Sequence, residues 1–245
     1  MVTLEQIHNA ARVLNGNIRE TDLIYAPNIV PDSKIYLKCE NLQVTGSFKI
    51  RGAFYKISQL SQEERDKGVV ACSAGNHAQG VAVSAQKNNI KSTIFIPSIA
   101  PLSKIEATKS YGAEVKLIDG VYDDAYEAAV RYYKESGAVF VHPFDDELVI
   151  AGQGTIGLEL LRQLPELDAV IVPIGGGGLI AGIATCIKNI NPRCKVYGVQ
   201  AQGAPSMVNA MELHELHTLD RVSTVADGIA VKTPGSLTFD LCEKY

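Results

Sequence analysis

Between Val69 and Gln200 the chain repeats one pattern, a short apolar run followed by a longer stretch with helical spacing. The short runs are Val69–Ser73, Thr93–Pro97, Val115–Ile118, Val139–His142, Ala169–Ile174 and Lys195–Gln200. The longer stretches are Asn76–Lys87, Ser103–Tyr111, Tyr122–Glu135, Gln153–Leu164 and Leu179–Asn189. Strands that read as continuous apolar runs are buried on both faces, and strands alternating with helices form parallel sheets. Right-handed crossovers then give a doubly wound α/β architecture. Ahead of this region, residues 4–14 predict an amphipathic helix and Ile35–Cys39 a short strand. Residues 203–235 are less regular. Ligands of such sheets bind beyond the carboxyl ends of the strands, which is where the unusual residues of this chain fall.

One such place is the end of Ala169–Ile174, where Gly175, Gly176, Gly177 and Gly178 run directly into the helix beginning at Leu179. Four glycines cost backbone entropy. They suit a phosphate cradle, in which bare backbone N–H groups and a helix N-terminus face the anion. A tight strand–helix turn is the other reading. A dinucleotide site is disfavoured, because the spacing is not GxGxxG and the next strand ends in Gln200 rather than an acidic residue. A Walker loop lacks its GKS or GKT. A single cofactor phosphate fits better.

A second place is NLQVTGSFKIR, residues 41–51, in which Lys49 opens a helix directly after Phe48. A helix N-terminus and an apolar setting both lower an amine pKa, and a neutral amine is what Schiff-base chemistry needs. Taken alone, a surface helix lysine is the commoner reading. A third is Ser73-Ala74-Gly75-Asn76-His77-Ala78-Gln79-Gly80, again at a strand end. It can present several N–H groups to a carboxylate, or it can be a polar helix cap made by Ser73 or Asn76.

TGSFKIRGA resembles the cofactor-lysine motif of fold-type II pyridoxal-phosphate enzymes, in the form found in the threonine ammonia-lyase (threonine/serine dehydratase) branch. SAGNHAQG, the glycine run, GQGTIGLEL at 152–160 and VADGIAV at 225–231 resemble segments of the same family, in the same order. The resemblance implies a tryptophan synthase β-like fold of two doubly wound parallel-sheet domains. The large one is expected over 1–47 plus 145–245 and the small one over 48–144, with the cofactor in the cleft. It further implies that Lys49 carries pyridoxal 5′-phosphate and takes the substrate's Cα proton. Phe48, Asn76, Gly175–Gly178, Leu179 and Gly228 would contact the cofactor, and Ser73, Ala74, Gly75, Asn76 and His77 would hold the amino-acid substrate. For Gly228 a simple turn at Asp227-Gly228 is an equal alternative. The activity implied is conversion of threonine, or serine, to a 2-oxo acid and ammonia, as in isoleucine biosynthesis or threonine catabolism.

Racemisation and β-replacement are the alternatives within the fold. Racemases of the family carry a second serine where this chain has Ala74, and alanine transfers no proton. Metal-activated relatives carry acidic ligands where this chain has Gln200 and Ser206, so no metal is expected. Ser236–Glu243 begins a helix and no strand follows before Tyr245, so a C-terminally incomplete large domain is expected, and with it a catalytically impaired fragment as a further alternative.

Composition narrows the setting. The 245 residues are 46% hydrophobic and 20% charged, with a formal charge of −4, enough for a sizeable core and without a broad basic surface for nucleic acid. No apolar run approaches the roughly 20 residues that span a bilayer. The five cysteines include no CxxC pair, which suits free thiols in a reducing cytoplasm. A cytoplasmic homo-oligomer acting on a small amino acid is the expectation.

Overall fold

A computed structural model describes residues 1–245. Helix α1 (Leu4–Leu14) opens with a capping box between Thr3 and Gln6 and buries Ile7, Ala10 and Leu14 along one stripe. Strands β1 (Leu23–Tyr25) and β2 (Tyr36–Lys38) form a small antiparallel pair; β2 is shorter than the sequence predicts, and β1 is too brief to show a period. Next come α2 (Lys49–Ser58) and α3 (Gln62–Lys67), the latter capped by Ser61 and Glu64.

Strand β3 (Val69–Cys72), helix α4 (Asn76–Lys87), strand β4 (Ser92–Pro97), helix α5 (Leu102–Ser110), strand β5 (Glu114–Ile118), helix α6 (Tyr122–Ser136) and strand β6 (Val139–Phe140) follow. The four strands pair in parallel in the order β5-β4-β3-β6. Alternation along them explains why both faces are covered. Val69, Ala71, Ile94 and Ile96 pack with Val81, Ala82 and Ala85 of α4. Val70, Cys72 and Phe95 point the other way and pack with Ala125 and Ala129 of α6. Side chains of successive strand residues face opposite sides, so helices on both faces are what an unbroken apolar run requires.

The remaining elements are α7 (Glu147–Gln163), β7 (Ala169–Pro173), α8 (Gly178–Ile190), β8 (Lys195–Val199), α9 (Ser206–Leu213) and α10 (Ser236–Lys244). Strands β7 and β8 pair in parallel. Helix α7 starts at Glu147, well before the predicted Gln153, because Asp146 caps it by accepting from the N–H groups of Leu148 and Val149. Helix α9 lies in the region expected to be irregular; its start is fixed by the Gln200 side chain, whose Oε1 accepts from the Val208 N–H at 2.9 Å.

Helix α7 lies between α2 and α8 and touches both at the backbone. A Cβ on Gly152 would come within 2.6 Å of the Arg51 carbonyl oxygen and of Gly52 Cα, and one on Gly52 within 2.6 Å of the Val149 carbonyl oxygen. On the opposite side, a Cβ on Gly154 would meet the Gly182 carbonyl oxygen at 2.9 Å. Beside these contacts Arg51, fully buried, pairs with Glu40 and Glu159 at 2.6–2.9 Å. Lys38 reaches Glu159 at 2.6 Å. Two cations and two carboxylates thus neutralise one another where β2, α2 and α7 meet, which is the condition under which charge can be buried.

Candidate active site

The first residue of α2 and the first of α8 open onto one cavity. It is lined by Phe48, Lys49, Pro143, Phe144, Gln153, Gly175–Gly178, Leu179, Gly228 and Ile229, with Pro173 and Val231 at its edge. Lys49 donates from Nζ to the Pro143 carbonyl oxygen at 2.7 Å, and its ammonium lies 5.4 Å from the centroid of the Phe48 ring. Burial without a carboxylate partner lowers its pKa to about 8. At neutral pH that gives roughly 300 times more neutral amine than an ordinary lysine holds.

The glycine turn meets the requirements of an anion cradle. None of the N–H groups of Gly175, Gly176 and Gly177 donates to another group of the chain, and the first turn of α8 adds its own unpaired donors. Gly177 has φ +98°, a left-handed conformation that disfavours any side chain. A Cβ on Gly178 would come within 2.9 Å of the Phe144 backbone. Bare backbone is therefore required by the packing, and unpartnered N–H groups border the cavity. Free donors and a partly desolvated amine on one cavity fit a phosphate-bearing aldehyde cofactor.

Of the residues singled out by sequence, Phe48, Lys49, Gly175–Gly178, Leu179 and Gly228 line this cavity. Gly228 sits in a short 3-10 turn over Asp227–Ile229, and the Asp227 carboxylate is tied to Lys104 of α5 at 2.7 Å. The segment Ser73–His77 is not in the lining. It forms the entry to α4, and α4 packs against the start of α2 so closely that a Cβ on Gly80 would meet Lys49 main-chain carbon at 3.1 Å. Within the segment, Ser73 Oγ accepts from the Gly75 N–H, Ala74 packs on the core of the four-stranded sheet, and Asn76 is exposed.

The His77 ring turns away into the protein. Its Nε2 donates to the Val141 carbonyl oxygen at 2.8 Å, which fixes the neutral ring with the proton on that nitrogen. Desolvation and then the Lys49 charge push its pKa down to about 3. Only the main-chain N–H of His77 remains for a ligand at the helix entrance.

Pro143, Phe144 and Gln153 were not singled out individually. Pro143 and Phe144 follow the end of β6, so their place beyond a strand's carboxyl end was a usable signal. Gln153 is a buried amide on an apolar helix; its Oε1 accepts from the Gly52 N–H at 3.2 Å. No group of three or more His, Cys, Asp or Glu side chains is placed to hold a metal ion, and no helix is long and apolar enough to cross a membrane.

Residues 14–245 match the family model described as pyridoxal-phosphate dependent enzyme. An L-threonine ammonia-lyase of Thermotoga maritima is 54% identical over the whole of this chain. The catabolic L-threonine dehydratase TdcB of Staphylococcus aureus is 45% identical over 98% of this chain and 70% of its own length. Among solved structures, the processed threonine deaminase isoform 2 of Solanum lycopersicum superposes with a TM-score of 0.94 at 40% identity, covering 98% of this chain and 67% of that one. Maize serine racemase superposes at 0.95 with 37% identity, covering 99% and 74%. The chain spans 62% of the length of the Thermotoga relative and 60% of a Geobacter sulfurreducens L-threonine ammonia-lyase. On the family match and these likenesses, the chain belongs to the pyridoxal-phosphate dependent enzymes.

Proposed function

We propose that this chain carries the cofactor-binding core of a threonine ammonia-lyase, converting L-threonine, and L-serine, to the 2-oxo acid and ammonia. The observation that carries the reading is the shared cavity of Lys49 and the glycine turn. The names of the relatives support the substrate class.

Bound pyridoxal phosphate supplies an electron sink for the bond broken at the substrate's Cα. The chain's own residues do the rest. Gly175–Gly178 and the start of α8 bind the phosphate through main-chain N–H groups and the helix dipole. Lys49, with its lowered pKa, would provide both the amine that holds the cofactor and a neutral base for the substrate's Cα proton. In the cofactor-free chain the Pro143 carbonyl holds that amine at the cavity wall. Phe48 offers an apolar ring beside it, and Leu179 and Gly228 close the lining. The α4 entrance, with Ser73, Ala74, Gly75, Asn76 and the main chain of His77, receives the substrate carboxylate. Ala74 has no proton to give on the face opposite the lysine, so elimination is favoured over racemisation. The division into a large unit (1–47 with 145–245) and a small unit (48–144) places the cofactor between them. The five unpaired cysteines suit a reducing cytoplasm.

Lys49→Ala tests the assignment. It is expected to abolish the absorbance band of the lysine-bound cofactor and to lower 2-oxobutanoate formation from threonine by at least a thousandfold. A variant that keeps both band and turnover rejects the role of Lys49. D-serine as the main product from L-serine would replace elimination by racemisation.

A further inference from the structure

Behind the glycine turn, on the side away from the cavity, lies the start of α10. Thr238, fully buried, has its Oγ1 2.6 Å from the Gly176 carbonyl oxygen and 3.1 Å from that of Gly235, and its single proton goes to the closer, Gly176. The Gly235 N–H donates to the same oxygen at 3.2 Å, so both acceptor positions of that carbonyl are used. Thr238 is itself held, because its N–H and that of Ser236 donate to the Asp145 carboxylate at 3.2 and 3.1 Å.

A trans peptide is planar, with its C=O and N–H pointing in opposite directions, and the chain has no cis peptide. A Gly176 carbonyl fixed toward α10 therefore aims the Gly177 N–H away from α10, to the cavity that Gly177 lines. A peptide between two glycines is the kind most easily turned over, since neither neighbour has a Cβ to resist rotation. Turned over, it would present a carbonyl oxygen to an anion in place of a donor.

We propose that Thr238, anchored by Asp145, is a positioning residue that locks the Gly176–Gly177 peptide with its N–H toward the cofactor phosphate. The proposal rests on the reading of the cavity as a phosphate-bearing cofactor site. Neither Thr238 nor Asp145 lines the cavity, so the effect is transmitted through one peptide plane.

The test compares two probes, pyridoxal 5′-phosphate and pyridoxal, titrated by absorbance and fluorescence against the whole chain. Both can react with Lys49, and only the first has the phosphate. Thr238→Val, equal in size and lacking the hydroxyl, is expected to weaken pyridoxal phosphate about tenfold and pyridoxal less than twofold. Thr238→Ser is expected to restore the native ratio, and the ³¹P shift of the bound phosphate should move in the valine variant and return in the serine one. Equal weakening of both probes, or no change in either, overturns the proposal. Should the valine variant fail to fold, Thr238→Ala against Thr238→Ser decides on the same ratio. A native chain that binds neither probe overturns the cavity reading itself, whereas a native chain that prefers the phosphate while every Thr238 variant does the same overturns only the positioning role.

Discussion

Two buried groups act at opposite ends of the pH response of the cofactor-free chain, and burial lowers the His142 pKa in the same direction as that of His77. The His77 ring refuses a proton until about pH 3, whereas an unfolded histidine accepts one near 6.5. Between those values the unfolded chain binds more protons, so stability falls as the pH drops through the window, by up to about 5 kcal/mol. Lys49 acts at the other end. Below pH 8 its amine is charged in both states and the folded chain bears the desolvation cost. From about 8 to 10.5 the folded amine is neutral and the unfolded one is not, so stability climbs by up to about 3 kcal/mol. Above about pH 9 the buried thiols of Cys72, Cys186 and Cys242, pushed up to about 12, lower stability as the pH rises, so each contribution is read as the difference in urea midpoint between native chain and variant across pH. His77→Gln is expected to flatten the acid limb and Lys49→Met the alkaline one; slopes unchanged by the substitutions would remove these residues as the cause. The two also mark what a sequence reveals at this scale. Lys49 was identifiable because its neighbours form a motif. The direction of the His77 ring was not, because it depends on the Val141 carbonyl, a partner 64 residues away.

At the scale of elements, the separation between the lysine-bearing and glycine-bearing helices is set by α7. Its Gly152 touches α2 and its Gly154 touches α8 with no side chain between. Gly152→Ala would force a methyl group into 2.6 Å contacts with main-chain atoms that have no rotamer to change. It is expected to cost about 1–3 kcal/mol of stability and to weaken cofactor binding, as read by urea unfolding and pyridoxal phosphate titration; an alanine variant as stable as the native chain would show that the three helices can spread. Helices with strong periodicity or a clear cap were legible, and α4 runs over the predicted Asn76–Lys87. The early start of α7 depends on the Asp146 cap, and α9 on the amide of Gln200 reaching forward to Val208. Apolar spacing carries neither signal.

At the scale of the whole molecule, the alternating pattern specified parallel sheets, and the structure has two of them with one small antiparallel pair. Their coverage differs. The four-stranded sheet is clothed on both faces, while on β7 and β8 Ile171, Tyr197 and Val199 remain 68%, 48% and 50% exposed on one face. Apolar side chains left bare on a strand pair favour association with another apolar surface. Sedimentation of the isolated chain should therefore show concentration-dependent self-association, and Ile171→Lys with Tyr197→Lys should suppress it while changing cofactor affinity less than twofold. Monomeric behaviour of the native chain at all concentrations would contradict this. The close grip of α7 has a mechanical consequence. Three rods locked spine to spine behave as a rigid jig, which fixes the spacing between the amine and the anion holder. The open space lies elsewhere, near Gly75 and Gly228, where an added methyl group would meet nothing within 4 Å.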